Sequence, residues 1–269
     1  MSGAISGSVE AVAAELRRAG CVFAEDEARI LVDSASSPDH LATMVRRRAE
    51  GLPLEHVVGW AELCGRRYVV APGVFVPRRR SQLLVATAIA LAHPGAIVVD
   101  LCCGSGALGA AAAAEVGGVE LHACDIDPAA ARCARENVAV VGGHAYQGDL
   151  YDPLPSRLRG RVDVLLTNAP YVPTDAIALL PTEAREHEAR VALDGGVDGL
   201  DVHRRVASGA SKWLAPGGTL LIETTEEQAS TMFAVFAVHG LVARTVHSAD
   251  LAATVIVATR SGGAGAVSR

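Results

Sequence analysis

From residue 96 onward the chain alternates short apolar runs with helical stretches, and no other feature restricts its possible folds as much. AIVVDL (96–101) is a β-branched, apolar run of the kind buried on both faces of a sheet. GALGAAAAAEV (106–116) predicts a helix, VELHAC (119–124) a second strand, and PAAARCARENVAVV (128–141) a second helix. Strands are expected near 144–147 and over 162–167, then a helix over 199–215 and a strand over 217–224. A helix over 226–239 and two runs at 241–247 and 252–259 complete the pattern. The fold class is therefore α/β, a mostly parallel seven-stranded sheet with helices on both faces. The last two runs are joined by a short connection, so the final strand is expected to be antiparallel.

The first part of the chain reads differently. Residues 8–20, 25–35 and 38–50 have helical spacing, with Gly20 as a C-cap, Pro38 at a helix start and Gly51-Leu52-Pro53 as a stop. RRYVVAPGVFV (66–76) gives two β-branched runs around Pro72-Gly73 and reads as a hairpin. The division expected is a helical unit over 1–64, a hairpin linker over 65–77, the main domain over 78–260, and a disordered tail over 261–269, too Gly-rich and polar to pack.

Composition excludes several classes. Half the residues are apolar and 20% are charged, which rules out a disordered chain. No apolar run approaches the roughly 18 residues of a membrane helix, and the first residues have no basic flank before an apolar core, so no signal peptide is expected. The six cysteines form no C-x-x-C pair, so neither a disulfide framework nor a metal site is expected, and the chain reads as reduced and cytoplasmic. Net charge is +1 over residues 1–80 and −7 over 81–269, with Lys212 the single lysine, which argues against a nucleic-acid partner. Of the two arginine triplets, Arg46-Arg47-Arg48 reads as a solvated helix face. Arg78-Arg79-Arg80 falls near the expected cleft mouth.

Four segments fall where the strands' carboxyl ends would put ligand contacts. Asp100-Leu-Cys102-Cys-Gly104-Ser-Gly106-Ala-Leu-Gly109 joins a strand to a helix, and Gly104 and Gly106 would let backbone approach a ligand. Asp125 follows the second strand and can accept from a ribose diol, with Ile126 beside it, while Asp127 caps the next helix. Asp149-Leu150 follows the third strand, where an acid could meet an adenine amino group. Asn168-Ala169-Pro170-Tyr171 ends the apolar strand VDVLLT. His187 and His203 read as surface residues, and Glu188 as a support of the site.

These segments resemble the S-adenosylmethionine-dependent methyltransferases, specifically the HemK/PrmC and PrmB family of protein-(glutamine-N5) methyltransferases. GLPLEHVVGWAELCGRRYVVAPGVFVPR (51–78) looks like that family's interdomain segment, DLCCGSGALG its cofactor loop, CDIDPAAARCARENV its ribose segment, and NAPY its N-P-P-Y. EARVALDGGVDGLDVHRRV (188–206) and LAPGGTLLIETTEEQ (214–228) resemble its C-terminal signatures. The chain looks like a divergent subgroup. Cys102 replaces the first loop glycine, Ala169 the first proline of N-P-P-Y, and Ala189 the proline after Glu188, while Pro77-Arg78-Arg79-Arg80-Ser81-Gln82 stands where the family has P-R-P-E-T-E.

The resemblance implies a Rossmann-like methyltransferase domain. It implies S-adenosylmethionine held by Asp100, Cys102, Gly104, Gly106, Asp125, Ile126, Asp149, Leu150 and Asn168. It also implies methyl transfer, at Asn168, Ala169, Pro170 and Tyr171, to the side-chain amide of a glutamine in a release factor or ribosomal protein. The alternative reading is an N-methyltransferase acting on the exocyclic amine of a DNA or RNA base, for which the same acceptor groups would serve.

Overall fold

The computed structural model describes residues 8–262, and residues 263–269 of the expected tail lie outside them. Helices α1 (Val9–Arg18), α2 (Ala24–Ser34) and α3 (Pro38–Ala49) form the first unit. Ser8 and Ser37 cap α1 and α3 by accepting from Ala11 and His40 N–H groups. Val12, Leu16, Leu31, Met44 and Val45 close a separate core between them. Arg48 departs from the solvated-face reading, because its guanidinium is buried against Glu27, with Nε 2.6 Å from Oε2.

A short α4 (Leu54–Val58) leads into β1 (Trp60–Leu63) and β2 (Arg66–Val69), an antiparallel pair. The hairpin therefore lies one strand earlier than expected. Its two-residue turn is Cys64-Gly65, both with positive φ (51° and 71°), the geometry that matches strand twist. Pro72-Gly73 does turn the chain, but Gly73 pairs with distant Glu188 rather than closing a hairpin. Val70, Val74 and Val76 seat this segment against Ala130 and Cys133 of the main domain.

The main domain opens with α5 (Gln82–Leu91), which the sequence reading missed because its uniform apolarity shows no helical period. There follow β3 (Ile97–Leu101), α6 (Ala107–Val116), β4 (Glu120–Asp125), α7 (Pro128–Ala139), β5 (His144–Gln147) and β6 (Val162–Thr167). A short α8 (Thr182–His187) precedes α9 (Asp201–Trp213), β7 (Leu214–Thr224), α10 (Glu226–Val238), β8 (Leu241–Ser248) and β9 (Ala253–Arg260). The seven strands are ordered β5-β4-β3-β6-β7-β9-β8, and β9 is antiparallel to both neighbours. One face of the sheet packs α9 and α10 through Val206, Trp213, Met232 and Phe236. The other packs α5, α6 and α7 through Leu84, Ala111 and Val138.

Register positions the site. Leu101 pairs with Cys124 and with Thr167, and Thr167 pairs with Ile222. The next residue on each strand, Cys102, Asp125, Asn168 and Glu223, thus emerges at one level of the carboxyl edge, beside the switch point between β4-β3 and β3-β6.

Candidate active site

Two cavities open at this edge. The first, about 860 Å³, is lined by Cys102, Gly104, Asp125, Ile126, Asp149, Leu150, Asn168 and Pro170 of the expected residues. The second, about 1070 Å³, takes Asn168, Ala169 and Tyr171, with Arg78 and Arg80. Phe75, Asn168 and Ala192 line both, so Asn168 stands where one cavity meets the other.

In the first cavity the Gly104 N–H donates to Asp125 Oδ2 (2.8 Å) and the Asp127 N–H to Oδ1 (2.9 Å). These bonds fix the carboxylate and leave each oxygen further lone-pair capacity. Burial raises the Asp125 pKa, and the two backbone donors oppose that rise. Asp127 caps α7 by accepting from the Ala129 N–H (2.7 Å), as expected. Asp149 pairs with Arg205 of α9, 2.6 Å away, and Arg205 also lines the cavity. Cys102 and Leu150 hold positive φ (53° and 48°) although neither is glycine. The left-handed backbone at 102 explains why a glycine suits that position, and Cys102 occupies it at a cost of about 1–2 kcal/mol. Its thiol pKa is raised by burial.

Two expected cofactor residues stand behind the wall of this cavity. Asp100 is fully buried and lines neither cavity; its Oδ2 accepts from the Gly109 N–H (2.9 Å), tying loop to helix. Burial pushes its pKa up to about 7. Gly106 is a glycine for packing rather than for ligand approach. A Cβ there would meet Ala134 Cβ at 3.0 Å and Val138 Cγ1 at 3.1 Å, where α6 crosses α7. Gly104, by contrast, has nothing nearer than Phe75 at 3.9 Å.

At the junction, Asn168 Nδ2 donates to Oγ of fully buried Ser81 (3.3 Å), which turns Oδ1 away from that bond. Among the described residues nothing donates to Asn168 Oδ1 or to the Ala169 carbonyl. Tyr171 is held through its backbone, where Gln228 Nε2 donates to its carbonyl (3.0 Å). Gly199 packs on that same carbonyl, and a Cβ there would come within 2.3 Å of it. This accounts for the last of the three glycines in ALDGGVDGLD. The Tyr171 hydroxyl donates to Glu223 Oε1 (3.4 Å), and burial beside that carboxyl pushes its pKa up to about 12.

Ion pairs build the rest of the second cavity. Arg78 Nη2 reaches both oxygens of buried Glu188, at 2.6 and 2.7 Å, and Glu188 also accepts from the Val76 N–H. Glu188 thus supports the site, as expected. Arg80 Nε pairs with Glu223 at 3.2 Å. His203 is not a surface residue. It is fully buried, edge-on to Tyr171, with Nε2 donating to the Glu223 carbonyl (3.2 Å), and burial brings its pKa to about 4. His187 is half-buried. Phe75, Ser81, Val191, Ala192 and Glu223 were missed by the sequence reading. Phe75 had a signal, since Val74 and Val76 on either side alternate with it and are buried.

Residues 67–196 match the Methyltransferase small domain family. A release factor glutamine methyltransferase from Geobacter sulfurreducens is 35% identical over 209 residues, 76% of this chain and 72% of that protein. A 4-amino-L-phenylalanine/4-methylamino-L-phenylalanine methyltransferase from Streptomyces pristinaespiralis is 38% identical over 203 residues, 73% of this chain and 69% of that protein. A solved methyltransferase from Pyrococcus furiosus shares the fold, with a TM-score of 0.56 at 13% identity, covering 84% of this chain and 100% of that one. The chain is an S-adenosylmethionine-dependent methyltransferase. It belongs to the release factor glutamine methyltransferase family. Among the described residues no helix is long and apolar enough to cross a membrane.

Proposed function

We propose that this enzyme transfers a methyl group from S-adenosylmethionine to the side-chain nitrogen of a glutamine in a cytoplasmic protein of the release factor or ribosomal protein kind. The observation that carries this reading is Asn168 at the meeting of two cavities, with its side-chain oxygen and the next carbonyl both unpaired.

The first cavity fits the methyl donor. An anchored carboxylate, Asp125, faces a loop open at Gly104, and apolar Ile126, Leu150 and Leu108 supply flat contact. Asp125 would hold the ribose diol, Asp149 the adenine edge, and the loop backbone the rest. The bound donor supplies an already electrophilic methyl on a sulfonium. What remains for the protein is placement. A glutamine nitrogen is a poor nucleophile, because its lone pair is delocalised into the carbonyl. Asn168 Oδ1 and the Ala169 carbonyl would accept its two N–H groups, fix it in line, and stabilise the positive charge that grows on it. Tyr171 lines the same cavity as a flat wall for the amide. No base is needed before attack: His203 is buried and neutral behind Tyr171, and Glu183 in the acceptor cavity is paired with Arg48.

The domain division proposed is a helical unit that helps to read the acceptor, joined by the hairpin segment to the catalytic domain. It is supported by Arg48 of α3, whose Nη2 lies 2.8 Å from Glu183 on the rim of the acceptor cavity. A nucleic-acid acceptor is disfavoured, since residues 81–269 carry a net charge of −7 and the chain has a single lysine, Lys212. The Streptomyces relative, whose acceptor is an amino acid, supports a second reading in which the same two acceptors hold a small amine.

The test offers labelled donor to release factors, ribosomal proteins, defined RNA and DNA, and 4-amino-L-phenylalanine. Label is expected in protein. Label confined to nucleic acid or to the amino acid would overturn the reading.

A further inference from the structure

The charged side chains lining the acceptor cavity are Arg78, Arg80 and Glu183. Their outward-facing groups are unequal. Glu183 is taken by buried Arg48, at 2.8 Å. Arg80 meets Glu223 through Nε alone, so both terminal nitrogens keep their N–H groups. Arg78 meets Glu188 through Nη2 alone, which leaves Nε and Nη1. The Arg80 and Arg78 side chains are 46% and 35% exposed, while the glutamate side chains they pair with are almost fully buried. Each is also stacked on an aromatic ring of the same cavity, Arg80 on Tyr171 at 5.5 Å and Arg78 on Phe75 at 4.8 Å. The backing carboxylates and rings therefore hold both guanidiniums in place, and Arg80 keeps the Nη1–Nη2 edge as a fork while Arg78 keeps only separate single donors. A planar fork held in this way matches a carboxylate, which takes two parallel N–H bonds.

We propose that the acceptor carries a carboxylate beside the nitrogen that is methylated, and that Arg80, flanked by Arg78, receives it. This rests on the glutamine reading, in which the carboxylate is an Asp or Glu next to the target glutamine. Arg80 stands where the P-R-P-E-T-E pattern has a glutamate, so the charge at this wall is opposite to that of the pattern.

The experiment compares initial rates on three peptides that each contain one glutamine and differ only in its neighbour, Glu, Ala or Lys. The Glu peptide is expected to exceed the Ala peptide in kcat/KM by about tenfold, through KM, with the Lys peptide poorest. Arg80→Met should bring the Glu-to-Ala ratio toward one. Because that change strands buried Glu223, the double variant Arg80→Met with Glu223→Gln is measured beside it. Calorimetry of donor binding verifies that both are folded. Equal rates on the Glu and Ala peptides, or a preference that survives in a folded double variant, would overturn the proposal. If no peptide is methylated but 4-amino-L-phenylalanine is, the glutamine reading has failed and the subsite is judged separately. A derivative of that amino acid with a carboxylate on the ring beside the amine should then outpace the parent, and equal rates would overturn the subsite.

Discussion

In the cavity proposed for the donor, on one side of Asn168, backbone does the positioning. Strand register sets Cys102 and Asp125 level with one another, and the carboxylate of Asp125 is clamped by the N–H groups of Gly104 and Asp127. On the acceptor side, side chains do it. Arg78–Glu188, Arg80–Glu223 and Arg48–Glu183 tie together segments more than a hundred residues apart in sequence. A cavity framed by strand ends changes little when surface residues change. A cavity framed by ion pairs can be redrawn by single substitutions, and the departures from the family pattern at 79–82, 169 and 189 fall on or beside the acceptor side, while Cys102 and Ser81 line the donor cavity. On the function proposed, the difference would separate a donor site set by backbone from an acceptor site set by side chains.

The comparison breaks first at the junction. Asn168→Ala should lower turnover by about a hundredfold or more, as loss of one preorganised acceptor does, while donor affinity holds. Single-turnover kinetics beside calorimetry checks this, and a loss of donor affinity instead would move Asn168 to the donor side. Asp125→Ala is the mirror case. Donor binding should weaken by about 1–3 kcal/mol by calorimetry, with the acceptor KM far less affected.

A smaller effect tests the buried prop beneath the loop. Asp100 has its folded pKa raised from 3.8 to about 7, so folding favours its protonated form. Its contribution is complete below the unfolded value and is lost as pH rises toward 7. Asp100→Asn removes that titration. Between pH 5 and pH 8 the variant should gain about 2–3 kcal/mol relative to the parent in denaturant unfolding. A difference independent of pH would show that Asp100 does not titrate in this range.

The smallest effect is expected at 169. Ala169 is buried, its working group is a carbonyl, and among the described residues its N–H has no partner. Pro170 already restrains it to extended backbone. Ala169→Pro should keep activity within about tenfold, or 1.4 kcal/mol of barrier. A collapse of turnover with donor binding intact would mark Ala169 as fitted to a different acceptor.

The same contrast governs what could be read from sequence. The α/β order, the antiparallel last strand and most residues lining the first cavity were legible because they follow from buried apolar runs and from turns that need particular residues; Asp100 and Gly106 lie behind its wall. The hairpin was misplaced because Pro72-Gly73 is a stronger turn signal than Cys64-Gly65. Only the partner strand β1, with its alternation hidden in WAEL, decides between them. Arg48, His203 and Glu223 look like surface residues in sequence, and their burial depends on contacts 20 to 143 residues away. Ser81 lies inside the altered segment, and its bond to Asn168 spans 87 residues, with no local pattern to reveal it.

The most direct measurement locates the methyl group itself. A peptide with its glutamine side-chain amide labelled with nitrogen-15 is methylated with carbon-13 donor and examined by heteronuclear NMR. The new methyl carbon should couple directly to the labelled nitrogen in the parent enzyme, and the signal should disappear with Asn168→Ala. A methyl group on any other atom of the peptide, or an undiminished signal in that variant, would contradict the claim that Asn168 presents a glutamine nitrogen to the donor.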